Sequence, residues 1–142
     1  MKIIYSTQAR ATGGGRDGKS ATLDGNLAVS LSVPKQMGGA GGEGTNPEQL
    51  FAVGYAACFL GAVRFVGGRD KIAVPADANV TSTVGFGPRD DGKGFGIDVA
   101  LEVSLPGLDQ GTAEDLVARA HVVCPYSEAT RGNLDVKLTV VV

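Results

Sequence analysis

The chain has 142 residues, 20% of them charged and 43% hydrophobic, with a formal net charge of −2. That length suits one domain with a buried core, and scattered single basic residues exclude the footprint of a nucleic-acid binder or a polybasic membrane patch. One histidine and two cysteines 66 positions apart exclude a zinc-ligand spacing.

The amino-terminal stretch MKIIYSTQAR lacks the apolar run of a secretory signal. A cytoplasmic chain is therefore expected, where thiols stay reduced and a lasting structural disulfide is not. Residues 2–11 and 26–33 read as strands. In the second, Leu27, Val29, Leu31 and Val33 alternate with small residues, the period-two pattern of a half-buried strand. Between them, residues 13–20 read GGGRDGKS and match the phosphate-loop pattern at every position. That chemistry needs a helix directly after the lysine, whose first amides hold the phosphates. Here Asp24-Gly25 makes a turn and another strand follows, so the segment reads as a glycine-rich hairpin loop carrying Arg16. The 22 glycines gather here and at 38–44, 85–96 and 107–111, between apolar segments, as turns and loops.

The first helix opens with Asn46 as N-cap, Pro47 at the first helical position and Gln49 where a capping box places it. It runs through LFAVGYAACFLGAVRFV and is expected to stop at Gly67-Gly68. Apolar residues surround its axis, and such a helix must be buried on all sides. Its uncharged stretch falls short of the ~18–20 residues of a membrane span. One small domain can scarcely wrap it, so an obligate dimer with this helix at its centre is expected. Segments 78–86 and 95–104 form a hairpin around Asp90-Asp91-Gly92. A second helix is expected from Ala113 to Val123 with Thr112 as N-cap, a short helical turn from Tyr126 to Arg131, and a last strand from Leu134 to Val142. The order gives a single α+β domain, residues 1–142, with a largely antiparallel sheet.

Cys58, between Ala57 and Phe59, fits a small buried hydrophobe as well as a reactive thiol. Pro125 biases Cys124 out of helical geometry, which leaves that cysteine at a helix end. From the residues alone both readings stay open. His121 reads as a packing or surface residue, and Asp17, Asn46 and Arg131 as turn and cap residues.

The segments TGGGRDGKS (12–20), TNPEQLFAVGYAACF (45–59) and AHVVCPYSEATRGN (120–133) resemble the organic hydroperoxide resistance proteins, the Ohr branch of the Ohr/OsmC superfamily. GGAGGEG (38–44) and LPG (105–107) are similar too, so the resemblance covers nearly the whole chain in order. It implies an OsmC/Ohr-like fold in which antiparallel sheets wrap long central helices in an intertwined homodimer. It also implies a thiol peroxidase that reduces alkyl and fatty-acid hydroperoxides to alcohols without metal, haem or flavin. Cys58 matches the peroxidatic cysteine, which passes through a sulfenic acid, and Cys124 the resolving cysteine that closes a disulfide with it. Arg16 matches the arginine that stabilises the thiolate, and Glu48 the carboxylate that holds that arginine. The implied reductant is dihydrolipoamide or a lipoylated protein.

Physical reasons accompany these roles. A thiol near pKa 8.5 is only a few per cent ionised at neutral pH, and a fixed guanidinium lowers that value. An arginine can pair with Glu48 through its planar fork while still facing sulfur. Met37, Phe51, Tyr55 and Phe59 are candidates for an apolar channel to the thiol, with core packing as the competing role. Glu48 and Cys58 are ten residues apart, a rise of roughly 15 Å on one helix. If the roles implied by the resemblance hold, Glu48, together with Arg16, is expected from the partner subunit, and action within one chain stays open. A redox sensor or lipid-hydroperoxide binding protein that does not turn over is the alternative class, and a scaffold with inert cysteines a third.

Overall fold

The structure is a computed structural model that describes residues 1–142. The chain divides into two compact units, Met1–Leu50 and Phe51–Val142, and the division falls inside the long helix.

The first unit is a three-stranded antiparallel sheet of β1 (Ala9–Thr12), β2 (Lys19–Thr22) and β3 (Ala28–Ser30), in that order. The strand expected over 2–11 is reduced to its last residues, and Ile3, Ile4 and Tyr5 lie exposed outside it. Strand β2 was not foreseen, because KSAT has no apolar alternation; pairing on both edges holds it in place. Residues 13–18 turn between β1 and β2, with Gly13 and Gly15 at φ 70° and 67°. No helix follows Lys19, so the phosphate-loop match ends in a hairpin.

The loop after β3 returns to the sheet where Leu31 bridges Thr45 in parallel and the Ser32 amide donates to the Thr45 carbonyl at 2.9 Å. This fixes the entry of helix α1 (Pro47–Asp70). Asn46 Oδ1 accepts the Gln49 amide at 2.9 Å, as an N-cap should. The Gln49 side chain does not complete the expected box; it accepts from the Thr45 hydroxyl at 2.8 Å.

In the second unit α1 continues past Gly67-Gly68 to Asp70, a correction to its expected end. A Cβ on Gly67 would lie 2.4 Å from Val74 Cγ2, so this glycine lets the following chain pack closely. The stop comes at Lys71, in the left-handed region at φ 58°, with the Ile72 amide donating to the Gly67 carbonyl at 2.8 Å. By length and composition alone α1 could cross a membrane, contrary to the expectation that it is too short. Its buried face nevertheless belongs to the core of its own chain: Tyr55, Phe59, Val63 and Val66 pack with Val99, Leu101 and Val103 and with Leu116, Val117 and Ala120. The opposite face stays apolar and open, with Val53 at 70% and Phe65 at 63% exposure and Ala57 and Gly61 exposed between them.

Strands β4 (Asn79–Pro88) and β5 (Phe95–Ser104) pair antiparallel over their full length, and Gly92 turns the hairpin at φ 69°. Strand β6 (Lys137–Val141) then pairs with β5 in parallel, so this sheet is mixed. A parallel neighbour requires a crossover connection, supplied here by helices α2 (Gln110–Val123) and α3 (Pro125–Thr130). Helix α2 starts earlier than expected because the Asp109 carboxylate, rather than Thr112, caps it by accepting the Thr112 amide at 3.0 Å.

Candidate active site

Two cysteines far apart in sequence meet in the second unit. Cys58 lies in the middle of α1, and Cys124 stands between α2 and α3. The Cys124 thiol donates to Cys58 Sγ at 3.5 Å. Both are free thiols; Cys124 is fully buried and Cys58 partly exposed. Pro125 explains the approach: it holds Cys124 extended, at φ −66° and ψ 123°, so α2 must end there and a new helix must start.

Beside Cys58 a cavity of about 340 Å³ is lined by Cys58, Gly61, Ala62, Phe65, Val123 and Pro125. Gly61 and Ala62 stand three and four positions after Cys58, on its side of α1, and their small side chains leave the space. Sequence reasoning missed both, although two small residues one turn beyond a cysteine are a readable signal. Tyr55 and Phe59, considered for substrate contact, have no exposed surface and are core residues. The substrate-contact expectation for them is corrected accordingly. Phe51 is partly buried against the rings of Tyr55 and Tyr126. Met37 lies half-buried in a short helical turn, Lys35–Met37, of the first unit.

Burial pushes the Cys58 thiol pKa up, a hydrogen bond from the Tyr126 backbone amide pulls it back, and the adjoining Cys124 pushes it up again. The net direction is upward, towards the unreactive thiol.

The first unit holds an arginine–carboxylate pair. Arg16, on the β1–β2 turn, donates through Nη1 to Glu48 Oε2 at 2.9 Å and through Nη2 to Glu48 Oε1 at 2.8 Å. This two-pronged pair raises the Arg16 pKa and, through the Arg16 hydrogen bonds, lowers that of Glu48. The turn is tightly specified, because a Cβ on Gly18 would fall 2.0 Å from the Thr12 carbonyl oxygen. Arg16 and Glu48 are thus joined within one chain.

Around Cys124 the second unit carries a polar cluster that sequence reasoning did not foresee. Ser127 Oγ lies 2.9 Å from Tyr55 Oη and 2.9 Å from His121 Nδ1, and Ser127 is fully buried. The Arg131 guanidinium donates to the His121 carbonyl at 2.8 Å. His121 is therefore half-buried against α3, and burial first, then the Arg131 charge, lowers its pKa. No group of histidine, cysteine and carboxylate side chains is placed to hold a metal ion.

Comparison with known proteins places this geometry among relatives. Residues 39–139 match the family model of OsmC-like proteins. An organic hydroperoxide resistance protein of Xanthomonas axonopodis pv. citri is 51% identical over 138 residues, covering 97% of this chain and 95% of that protein. A crystal structure of an organic hydroperoxide resistance protein from Legionella pneumophila superposes with a TM-score of 0.93 at 52% identity, covering 99% of this chain and all of that one. One from Bacillus subtilis does so with a TM-score of 0.88 at 42% identity, covering 97% and 99%.

Proposed function

The chain belongs to the organic hydroperoxide resistance proteins of the OsmC-like family, and from that membership we propose that it is a cysteine-based peroxidase reducing organic hydroperoxides to alcohols. The observation that carries this reading is the 3.5 Å approach of Cys58 and Cys124 beside an open, largely apolar cavity.

The Cys58 thiolate attacks the terminal oxygen of the hydroperoxide. The O–O bond breaks, an S–O bond forms, and the alkoxide takes up a proton and leaves as the alcohol. Cys58, having lost two electrons, is then a sulfenic acid. The Cys124 sulfur attacks it, an S–S bond forms, and the hydroxyl leaves as water with the Cys124 proton. An external dithiol restores both thiols through a mixed disulfide and departs as its own disulfide. A dihydrolipoyl group, free or carried on a protein, is the donor we assign, because its two thiols are held for ring closure. The cytoplasm, with its reduced thiols, is the compartment that suits such a cycle.

Arg16, oriented by Glu48, is the cation that brings Cys58 to the thiolate. We assign this pair to the partner subunit of a homodimer. Support comes from the ten-residue interval between Glu48 and Cys58, roughly 15 Å of helical rise, and from the exposed apolar row Val53, Ala57, Gly61 and Phe65 on α1. A second α1 lying along that row would bury it.

Steady-state reduction of cumene hydroperoxide with dihydrolipoamide tests the proposal. Wild-type protein turns over many equivalents, Cys58→Ser none, and Cys124→Ser consumes one and stalls or over-oxidises. Consumption of only one equivalent by the wild type would leave a sensor or binding protein, and normal turnover by Cys58→Ser would remove the central assignment.

A further inference from the structure

Helix α3 spans only six residues, Pro125–Thr130. So short a helix has no stability of its own in water, since nucleation costs more than its few hydrogen bonds return. Something outside it must hold it, and with it the residue at its head, Cys124. Beside the packing of the Tyr126 ring on Phe51 and Tyr55, the Ser127 hydroxyl is such a hold. It sits three residues after Cys124 and touches a different helix on each side: Tyr55 Oη of α1 at 2.9 Å and His121 Nδ1 of α2 at 2.9 Å. A third strut runs within α3, where Thr130 Oγ1 donates to the Ser127 carbonyl at 3.1 Å.

The placement relative to sulfur is specific. Tyr55 lies three residues before Cys58 on α1, and Ser127 three residues after Cys124, so the joint stands about one helical turn from each thiol. Ser127 has no exposed surface, and despite its contact with a histidine it has no path to a substrate, which excludes a nucleophilic role. A buried hydroxyl with a partner on each side instead fixes geometry, and loss of a partner leaves a buried polar group unpaired.

Building on the thiol-peroxidase reading above, we propose that Ser127 is a positioning residue for disulfide closure: bridging Tyr55 and His121, it keeps Cys124 in reach of Cys58 so that the sulfenic acid is captured before a second hydroperoxide oxidises it further. The contest is kinetic. Capture by Cys124 is a reaction within the chain, and its advantage over a free oxidant depends on the sulfurs being held in line; a displacement of about 1 Å costs such a step on the order of 100-fold. Attack of Cys58 on the first hydroperoxide makes and breaks no bond at Cys124, so a displaced Cys124 is felt first in the capture step.

The test separates the two steps. Reduced protein is mixed with one equivalent of cumene hydroperoxide in the presence of a sulfenic-acid trap such as dimedone. Mass spectrometry then counts Cys58 as adduct, as disulfide with Cys124, or as sulfinic acid. For Ser127→Ala the ratio of adduct to disulfide rises by about ten-fold or more, and sulfinic acid forms at lower peroxide than in the wild type. Ser127→Thr, which keeps a hydroxyl, restores the wild-type ratio. Tyr55→Phe removes the bond to Ser127 and the longer 3.5 Å contact with Thr130 Oγ1 while keeping the ring in the core, shifts the ratio in the same direction, and stands in if Ser127→Ala does not fold by circular dichroism. An unchanged ratio in Ser127→Ala, or in Tyr55→Phe where that variant stands in, overturns the proposal. So does an equal fall in both steps, which marks mere structural damage. If wild-type protein forms neither adduct nor disulfide at Cys58, the peroxidase reading itself falls, a result distinct from normal closure in wild type and variants alike.

Discussion

Replacing Arg16 by alanine should uncouple the stability of the protein from the reactivity of its thiol. The Arg16–Glu48 pair is well formed, with two hydrogen bonds of 2.9 and 2.8 Å, but the Arg16 side chain is 43% exposed. The Glu48 side chain is 12% exposed, but with the arginine side open to solvent the pair contributes about 1 kcal/mol, so Arg16→Ala should unfold close to the wild-type urea midpoint. The effect on Cys58 is of another size. Burial and the neighbouring Cys124 push its pKa up, against the Tyr126 amide, and an ordinary thiol is already only about 3% ionised at pH 7. A cation within hydrogen-bond range of a titrating group changes its charged population by a factor of about 10 to 1,000 below the pKa. Alkylation of Cys58 by iodoacetamide, followed from pH 5 to pH 10 in a Cys124→Ser background, reads this directly. Arg16→Ala should react at least about ten-fold more slowly at neutral pH and catch up at high pH, where the thiol ionises unaided. Superimposable pH profiles would mean that Arg16 does not activate Cys58. A large drop in the urea midpoint would mean that the pair is structural.

Val53→Glu places a charge in the exposed apolar row of α1 and should give monomers in sedimentation analysis together with loss of peroxidase activity; a fully active monomer would sink the shared-site assignment. Gly18→Ala directs a methyl group to within 2.0 Å of the Thr12 carbonyl oxygen, where only backbone movement relieves the clash. It should cost about 1–3 kcal/mol and displace the turn that bears Arg16, visible as a lowered unfolding midpoint and slower alkylation of Cys58. His121 has its pKa lowered by burial and by the Arg131 charge. The unfolded chain therefore binds a proton near pH 6.5 that the folded chain resists. That contribution to stability is complete above the unfolded pKa and is lost as pH falls through the folded one. Urea titrations of wild type and His121→Gln at about pH 8 and pH 5.5 should show the smaller pH dependence in the variant, and equal slopes would contradict the burial argument.

Much of this architecture was legible from residues whose role is local. Asn46-Pro47 announced the start of α1, Pro125 broke α2 from α3, and Asp90-Asp91-Gly92 marked the hairpin turn. Where expectation failed, a tertiary contact had overridden a local rule. Gly67 looked like a stop signal, yet its missing side chain admits Val74 and the helix continues. Strand β2 has no apolar period because it is held by both edges rather than by a buried face. Parallel pairing of β6 with β5 depends on the path of the intervening helices, which no short pattern encodes. Of the site, the cysteines and the Arg16–Glu48 pair were reached through family resemblance, since spacing alone left Cys58 as plausible a packing residue as a nucleophile. Ser127 went unnoticed because a serine gains its partners, Tyr55 and His121, only once three helices have met.

Cys124 is at once the last cap of one helix and the first of the next: its amide donates to the Ala120 carbonyl at 2.9 Å, and its carbonyl accepts the Glu128 amide at 2.9 Å. Its main chain is thus engaged on both sides while its sulfur remains 3.5 Å from Cys58. Bond formation at about 2.05 Å leaves a gap of only about 1.5 Å to close, a distance that rotation of the side chains can cover. Closure by such rotations needs no fraying of α2 or α3, whose hydrogen bonds to the Cys124 main chain can stay in place. Amide hydrogen exchange over residues 120–128 should accordingly be alike in the reduced and disulfide forms.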